Sequence, residues 1–276
     1  MSQRKYCLEL LSDFGYLGCK PINTPMDMNL IVTDATESAS TSADSLLTDV
    51  SGFQRLVGRL IYLLATRPDI SFVVHCLSQF MHSPRKSHLS LALRVLRYLK
   101  KSLGKGIYFS PSPVFKLSGF VDVDWGKCLS SRRFVTGYCL FLGNCLISWK
   151  SEKQNTVSRS SAESEYRALA SVTCEIIWVL NILSCLNVKE LIPVSIFCDN
   201  SSAIQIAINP VFHEKTKHIE IDIHFIREKI SAGLIKIVKI DSVEQTADIF
   251  TKSLGAVQHD YLCSKLKMFD VFQSQD

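Results

Sequence analysis

With 276 residues, 47% of them hydrophobic and 21% charged, the chain has the make-up of a folded protein of one large or two modest domains and excludes a disordered one. Ten cysteines without a Cys-x-x-Cys pair, no apolar run of about 18 residues and a start lacking the apolar core of a secretory signal point to buried free thiols in a soluble intracellular protein with no membrane partner. The net charge of +5 lies within the first 110 residues, which hold 13 Lys and Arg against 8 Asp and Glu, while the remainder is balanced.

Residues 5–15 read as a short amphipathic helix ended by Gly15. Pro21, Pro25 and a Ser/Thr/Ala/Asp-rich linker over 33–49 follow; that composition cannot build a core. Apolar residues at helical spacing predict a helix over 51–65. A second runs from Arg67-Pro68-Asp69, where proline suits a first turn, to Met81, and a third spans 87–103. From 70 to 110 there are seven basic residues and no acidic one. Such a run suits a polyanion, through counterion release, or a solvated helix face.

From about Lys105 the period changes. Runs at 107–109, 115–123, 134–142 and 146–149, broken by prolines, Arg132-Arg133 and Gly143-Asn144, predict an antiparallel meander. Ser160 and Glu163 make a capping box before a long helix. A buried strand over 193–198, helices over 201–208 and 219–232, and a strand over 234–240 come next. Ser242 and Gln245 then repeat the capping-box pattern and predict a helix containing Asp248. Antiparallel strands followed by strand–helix crossovers imply an α/β fold, a mixed five-stranded sheet flanked by helices, preceded by a small helical subdomain.

Carboxylates recur where such a chain delivers them to one end of its sheet. A strand alternates faces, so Asp122 and Asp124 point the same way, and the alternation does not choose between them. Glu165 shares a helix face with Leu169, Val172 and Ile176, which turns it toward the sheet, whereas Glu163 belongs to the cap. Asp199 ends an apolar strand ahead of a helix, a common place for site residues. Asp248 falls in the first turns of the last predicted helix. Each has a plainer reading as a helix cap or surface charge, but a charge embedded in an apolar strand is costly without a partner. Convergent carboxylates repel unless cations hold them, and divalent cations held so commonly serve phosphoryl transfer.

The segments 120–125 (Phe-Val-Asp-Val-Asp-Trp), 137–143 (Gly-Tyr-Cys-Leu-Phe-Leu-Gly), 146–154 (Leu-Ile-Ser-Trp-Lys-Ser-Glu-Lys-Gln), 157–168, 198–204 and 217–228 closely resemble the ribonuclease H domain of copia-type retrotransposon polyproteins. Upstream, 55–70 resembles the end of their reverse transcriptase, so the resemblance covers nearly the whole chain. It implies a ribonuclease H-like fold over 105–256, a helical reverse-transcriptase remnant, thumb- or connection-like, over 1–104, and a C-terminal helix and tail over 257–276. It implies two Mg²⁺ ions, with Mn²⁺ as an alternative, hydrolysing the RNA strand of an RNA–DNA hybrid. Asp122, Glu165, Asp199 and Asp248 match the family's metal-binding acids, which favours Asp122 over Asp124. Arg132, Arg133, Ser158, Arg159, Ser160 and Asn200 are candidate contacts to sugar and phosphate. The missing reverse-transcriptase core is a further candidate partner, and the implied location is cytoplasmic, in a virus-like particle, or nuclear.

The chain departs from the family in two ways. No Tyr-x-Asp-Asp polymerase motif is present, so DNA synthesis is not expected. The stretch before Asp248 has no histidine, whereas cellular ribonucleases H carry one there. His218, His224 and Lys252 are the candidates for its role in product release, against an ordinary helix position for the two histidines. The rival expectation is a non-catalytic nucleic-acid-binding remnant of a retroelement.

Overall fold

A computed structural model describes residues 1–28, 30, 32, 44–111, 115–124, 134–154, 157, 158, 160–208 and 220–272. The chain forms two compact units. One is built from Met1–Phe109 together with the C-terminal segment from Lys252, the other from the chain between them. The expected division at 104 and 256 is therefore displaced. Lys105–Ile107 (β1), expected to open the second domain, instead pairs antiparallel with Met268–Asp270 in the first.

The first unit packs four N-terminal helices, α1 (Arg4–Asp13), α2 (Val50–Leu63), α3 (Ser71–Ser78) and α4 (Lys86–Lys101). In α2 the buried Phe53, Leu56, Val57, Leu60 and Leu63 recur at helical spacing, and Asp49 caps its first turn by accepting from the Gly52 N–H at 2.8 Å. The helix predicted from Arg67 begins as a 3₁₀ turn, Pro68–Ile70, before α3. Most of the expected linker lies outside the described residues; near its end Asp44 accepts from the Ser87 N–H and hydroxyl at 2.9 and 2.7 Å.

Arg67 and Asp69 are buried at the centre of this unit. Arg67 donates in a fork to Asp69 at 2.9 and 2.7 Å and to the Ser102 carbonyl at 3.0 Å, and the Tyr98 hydroxyl donates to Asp69 at 2.6 Å. His259, on the C-terminal helix Ala256–Lys265, meets the Tyr98 ring edge-on at 5.4 Å. Much of the basic run is engaged here. Arg94 pairs with Asp27 at 2.8 Å, Arg97 donates to the Lys20 carbonyl, and Arg85 donates to that of Asp44.

The second unit is the α/β fold read from the sequence. Its strands, Leu117–Asp124 (β2), Val135–Leu142 (β3), Cys145–Lys153 (β4), Val194–Cys198 (β5) and Ile235–Lys239 (β6), form one sheet in the order β4-β3-β2-β5-β6. The first three are an antiparallel meander, and β5 and β6 join in parallel. Three helices, α5 (Ser161–Cys185), α6 (Ser201–Ile208) and α7 (Glu220–Ser231), lie between β4 and β6 in the chain. This is the mixed, helix-flanked five-stranded sheet expected from the sequence. The helix expected to carry Asp248 is absent among the described residues; 3₁₀ turns at Ser242–Glu244 and Thr246–Phe250 take its place.

By length and composition alone α5 is long and apolar enough to cross a membrane. Its Leu169, Val172, Ile176 and Val179 are buried in the core with the sheet, and it carries Glu163 and Glu165 in its first turns. The cysteines of the described residues are free; Cys7, Cys139, Cys198 and Cys263 are buried, whereas Cys174 and Cys185 are exposed.

Burial alone raises the pKa of Asp69, but the charge and hydrogen bonds of Arg67, with the Tyr98 hydroxyl, outweigh it and hold the carboxyl well below its usual range. A depressed folded-state pKa stabilises the fold above the unfolded value of about 4 and loses that contribution as pH falls through it. Replacing Asp69 by Asn leaves Arg67 buried without its counter-charge. Urea unfolding at neutral pH is expected to show a loss of about 3–5 kcal/mol, and that deficit is expected to narrow below about pH 4.

Candidate metal centre

The site begins with strand register. β2 and β5 run parallel with Phe120 opposite Phe197, so Asp122 and Asp199 each lie two residues further on, at the same edge of the sheet. The Phe120 and Phe197 rings stack with centroids 4.8 Å apart on the strand face that Asp122 and Asp199 continue. Gly119 lies on the other face, where a Cβ would stand 3.6 Å from both Val172 and Ile176 of α5. Glu165, in the first turns of α5, thus reaches the edge from the face opposite Asp122.

One carboxylate oxygen from each of Asp122, Glu165 and Asp199 lies within 4.8 Å of the other two. Asp122 and Glu165 are buried and Asp199 is half-buried. Neighbouring groups report the concentrated negative charge. Burial, and then the charge of Glu165 with further contributions from Asp199 and Asp122, pushes the Cys198 thiol well above its ordinary range. The Ser242 hydroxyl donates to Asp199 at 2.7 Å. Three hard oxygen donors without an intervening nitrogen fit Mg²⁺ or Mn²⁺ rather than a soft metal.

Glu163 is held apart from this group. Its N–H donates to the Ser160 hydroxyl at 3.2 Å, as the cap predicts, and its carboxylate pairs with Arg167 at 3.2 Å. Asp124 pairs with Val135 at the far end of the β2–β3 ladder and is not in the cluster.

Asp248 is buried but is not one of the three oxygens brought together. It sits on the turn Thr246–Phe250, which Gln245 caps. The Gln245 side chain accepts from the Ala247 N–H at 3.3 Å and donates to the Val121 carbonyl at 2.9 Å. A capping-box reading misses that second bond, because the partner lies on β2. At the other end of the turn the Thr251 hydroxyl donates to Asp122. Thr251, Gln245 and Ser242 thus touch the acids or their strand and were not read as site residues, although Ser242 and Gln245 were read as a cap.

The predicted substrate contacts divide. Arg132, Arg133 and Arg159 lie outside the described residues, as does His218. Ser160 and Asn200 serve as helix caps, Asn200 accepting from the Ala203 N–H at 3.0 Å. Ser158 is buried. His224 is exposed on α7, 3.8 Å from Glu220 one turn earlier.

No family model matches the chain. It is 38% identical over 266 residues, 96% of its length, to the retrovirus-related Pol polyprotein from transposon RE1 of Arabidopsis thaliana. It is 32% identical over 270 residues to that from transposon TNT 1-94 of Nicotiana tabacum. The chain spans only 18% and 20% of the length of these two relatives. An uncharacterized mitochondrial protein of Arabidopsis thaliana is 43% identical over 178 residues, 64% of this chain and 71% of that protein. Among solved structures, the N-terminal RNase H domain of a Mycobacterium tuberculosis protein, fused to maltose-binding protein, covers 55% of this chain and 98% of its own. Its TM-score is 0.36 at 11% identity, a likeness too slight to bear on the site. Over nearly its whole length the chain is thus similar to one part of the retrovirus-related Pol polyproteins of plant transposons.

Proposed function

We propose that residues 110–251 form a divalent-metal-dependent ribonuclease H that cleaves the RNA strand of RNA–DNA hybrids internally, and that the helical unit is the end of a reverse transcriptase. The observation that carries this reading is the meeting of the Asp122, Glu165 and Asp199 oxygens within 4.8 Å at one edge of the sheet. These three would hold Mg²⁺ or Mn²⁺, and Asp248, on the neighbouring turn, is the fourth acid that the family resemblance implies. Bound ions would lower the pKa of water and stabilise charge on the leaving oxygen.

The reaction adds water oxygen to phosphorus and breaks the bond from phosphorus to the 3′ oxygen, which takes up a proton. The chain's own part is to fix the carboxylates. Asp122 lies in β2 and Asp199 directly follows β5, its parallel neighbour, so the ladder that pairs Phe120 with Phe197 sets the point from which both are presented. Recognition of a hybrid rests on backbone shape and 2′-hydroxyls, so weak base preference is expected.

The purified chain is expected to cleave the RNA strand of an end-labelled hybrid with Mg²⁺ and to stop when EDTA is added. Asp199→Asn is expected to lower the rate by about 10²-fold or more. Equal cleavage by the variant would sink this reading, and salt-sensitive hybrid binding without turnover would mark a non-catalytic remnant instead.

Like charges about 5 Å apart near a protein surface oppose each other by roughly 1–3 kcal/mol. Asp199→Asn is therefore expected to raise the metal-free melting temperature and to abolish the rise that Mg²⁺ gives the unsubstituted chain. Differential scanning calorimetry with and without the metal checks both.

A further inference from the structure

Asp122 stands directly opposite Gly137 in the β2–β3 ladder. A Cβ added to Gly137 would lie 2.6 Å from Thr251 Cγ2, 2.7 Å from Phe250 Cβ and 3.1 Å from the Ala247 carbonyl. Real carbons do not approach so closely. The missing side chain is the space into which the Asp248-bearing turn is pressed.

The two ends of that turn are tied to consecutive residues of β2. At one end, fully buried Gln245 donates to the Val121 carbonyl at 2.9 Å. At the other, fully buried Thr251 donates to Oδ2 of Asp122 and lies 3.3 Å from the Asp248 carbonyl. The Thr251 N–H donates to the same carbonyl at 3.1 Å. One side chain thus touches a metal-site carboxylate and the backbone of the fourth acid.

We propose that Thr251 is a positioning residue of the metal centre: its hydroxyl sets the plane of the Asp122 carboxylate and clamps the Asp248 turn beside it over Gly137. The proposal rests on the reading of the acids as metal ligands. A hydroxyl has one proton, and a charged acceptor draws it more strongly than a neutral carbonyl, so the bond to Asp122 is the governing one. Packing alone would be served equally by valine, which has the shape of threonine without its donor. A role through the hydroxyl and a role through packing therefore separate experimentally. Partners that orient a ligating carboxylate typically govern metal affinity as strongly as some ligands do.

The test compares the full chain with Thr251→Val and Thr251→Ser, titrating each with MnCl₂ by calorimetry and measuring hybrid binding in EDTA. Thr251→Val is expected to bind Mn²⁺ about tenfold or more weakly, with metal-free hybrid binding unchanged, and Thr251→Ser is expected to restore the affinity. If Thr251→Val does not fold, Thr251→Ala, smaller than the residue it replaces, takes its place against Thr251→Ser. Equal Mn²⁺ affinity in the unsubstituted chain and the hydroxyl-free variant would overturn the proposal. So would a matching loss in Thr251→Ser, which would assign the effect to packing. An unsubstituted chain that binds no Mn²⁺ would instead overturn the metal reading itself, and the positioning role with it.

Discussion

The parallel pairing of β2 with β5 is the constraint from which the acidic site follows. Its register fixes Phe120 opposite Phe197, and two further residues along each strand bring Asp122 and Asp199 to the same edge. β2 is held on both sides, by eight antiparallel pairs with β3 and by β5. A slip of one residue would turn Val121 away from the core and Asp122 into it, exchanging buried apolar area for buried charge. The apolar pattern of the strand thus enforces the geometry of its acid. The repulsion among the three carboxylates is borne by the stability of that core.

The two faces of β2 do different work for the site. On the Gly119 face, α5 packs through Val172 and Ile176, and that packing sets the height at which its first turns present Glu165. On the Asp122 face, the turn from Gln245 to Thr251 closes over the strand where Gly137 leaves room. The bare position Gly137 on β3 thus admits the turn on one side, while α5 packs over β2 on the other. The carboxylates meet where those two layers reach the strand ends.

Most elements of the second unit were legible because their periods are local. The helix over Ser161–Cys185 is announced by its cap and its apolar phase, and that same phase separates Glu165 from Glu163. Asp122 and Asp124 share a face, so alternation could not choose between them; only the folded chain shows that the oxygen near Glu165 and Asp199 is that of Asp122. The Asp248 element was misread because Ser242 and Gln245 imitate a capping box, whereas the Gln245 amide is committed to a carbonyl 124 residues away. The strand Lys105–Ile107 was assigned to the wrong unit for the same reason, since its partner is Met268–Asp270. Charge counting left the run from Arg85 to Lys105 open between a polyanion surface and a solvated helix face; three of its seven cations, Arg85, Arg94 and Arg97, are bonded within their own unit.

The buried acids of the two units show why burial of a carboxylate does not by itself mark a site. Asp69 is sealed inside the helical unit, where Arg67 meets it with a two-pronged fork and Tyr98 adds a third donor. Its charge is answered by the chain, and its removal leaves a buried guanidinium, so its role is structural. Asp122, Glu165 and Asp199 are instead brought toward one another, with the Thr251 hydroxyl donating to Asp122 and the Ser242 hydroxyl to Asp199. A hydroxyl orients a carboxylate without cancelling its charge. Three carboxylates drawn together at one end of the sheet suit the cation proposed above, and that mutual arrangement, rather than burial, distinguishes them from the Arg67–Asp69 ion pair.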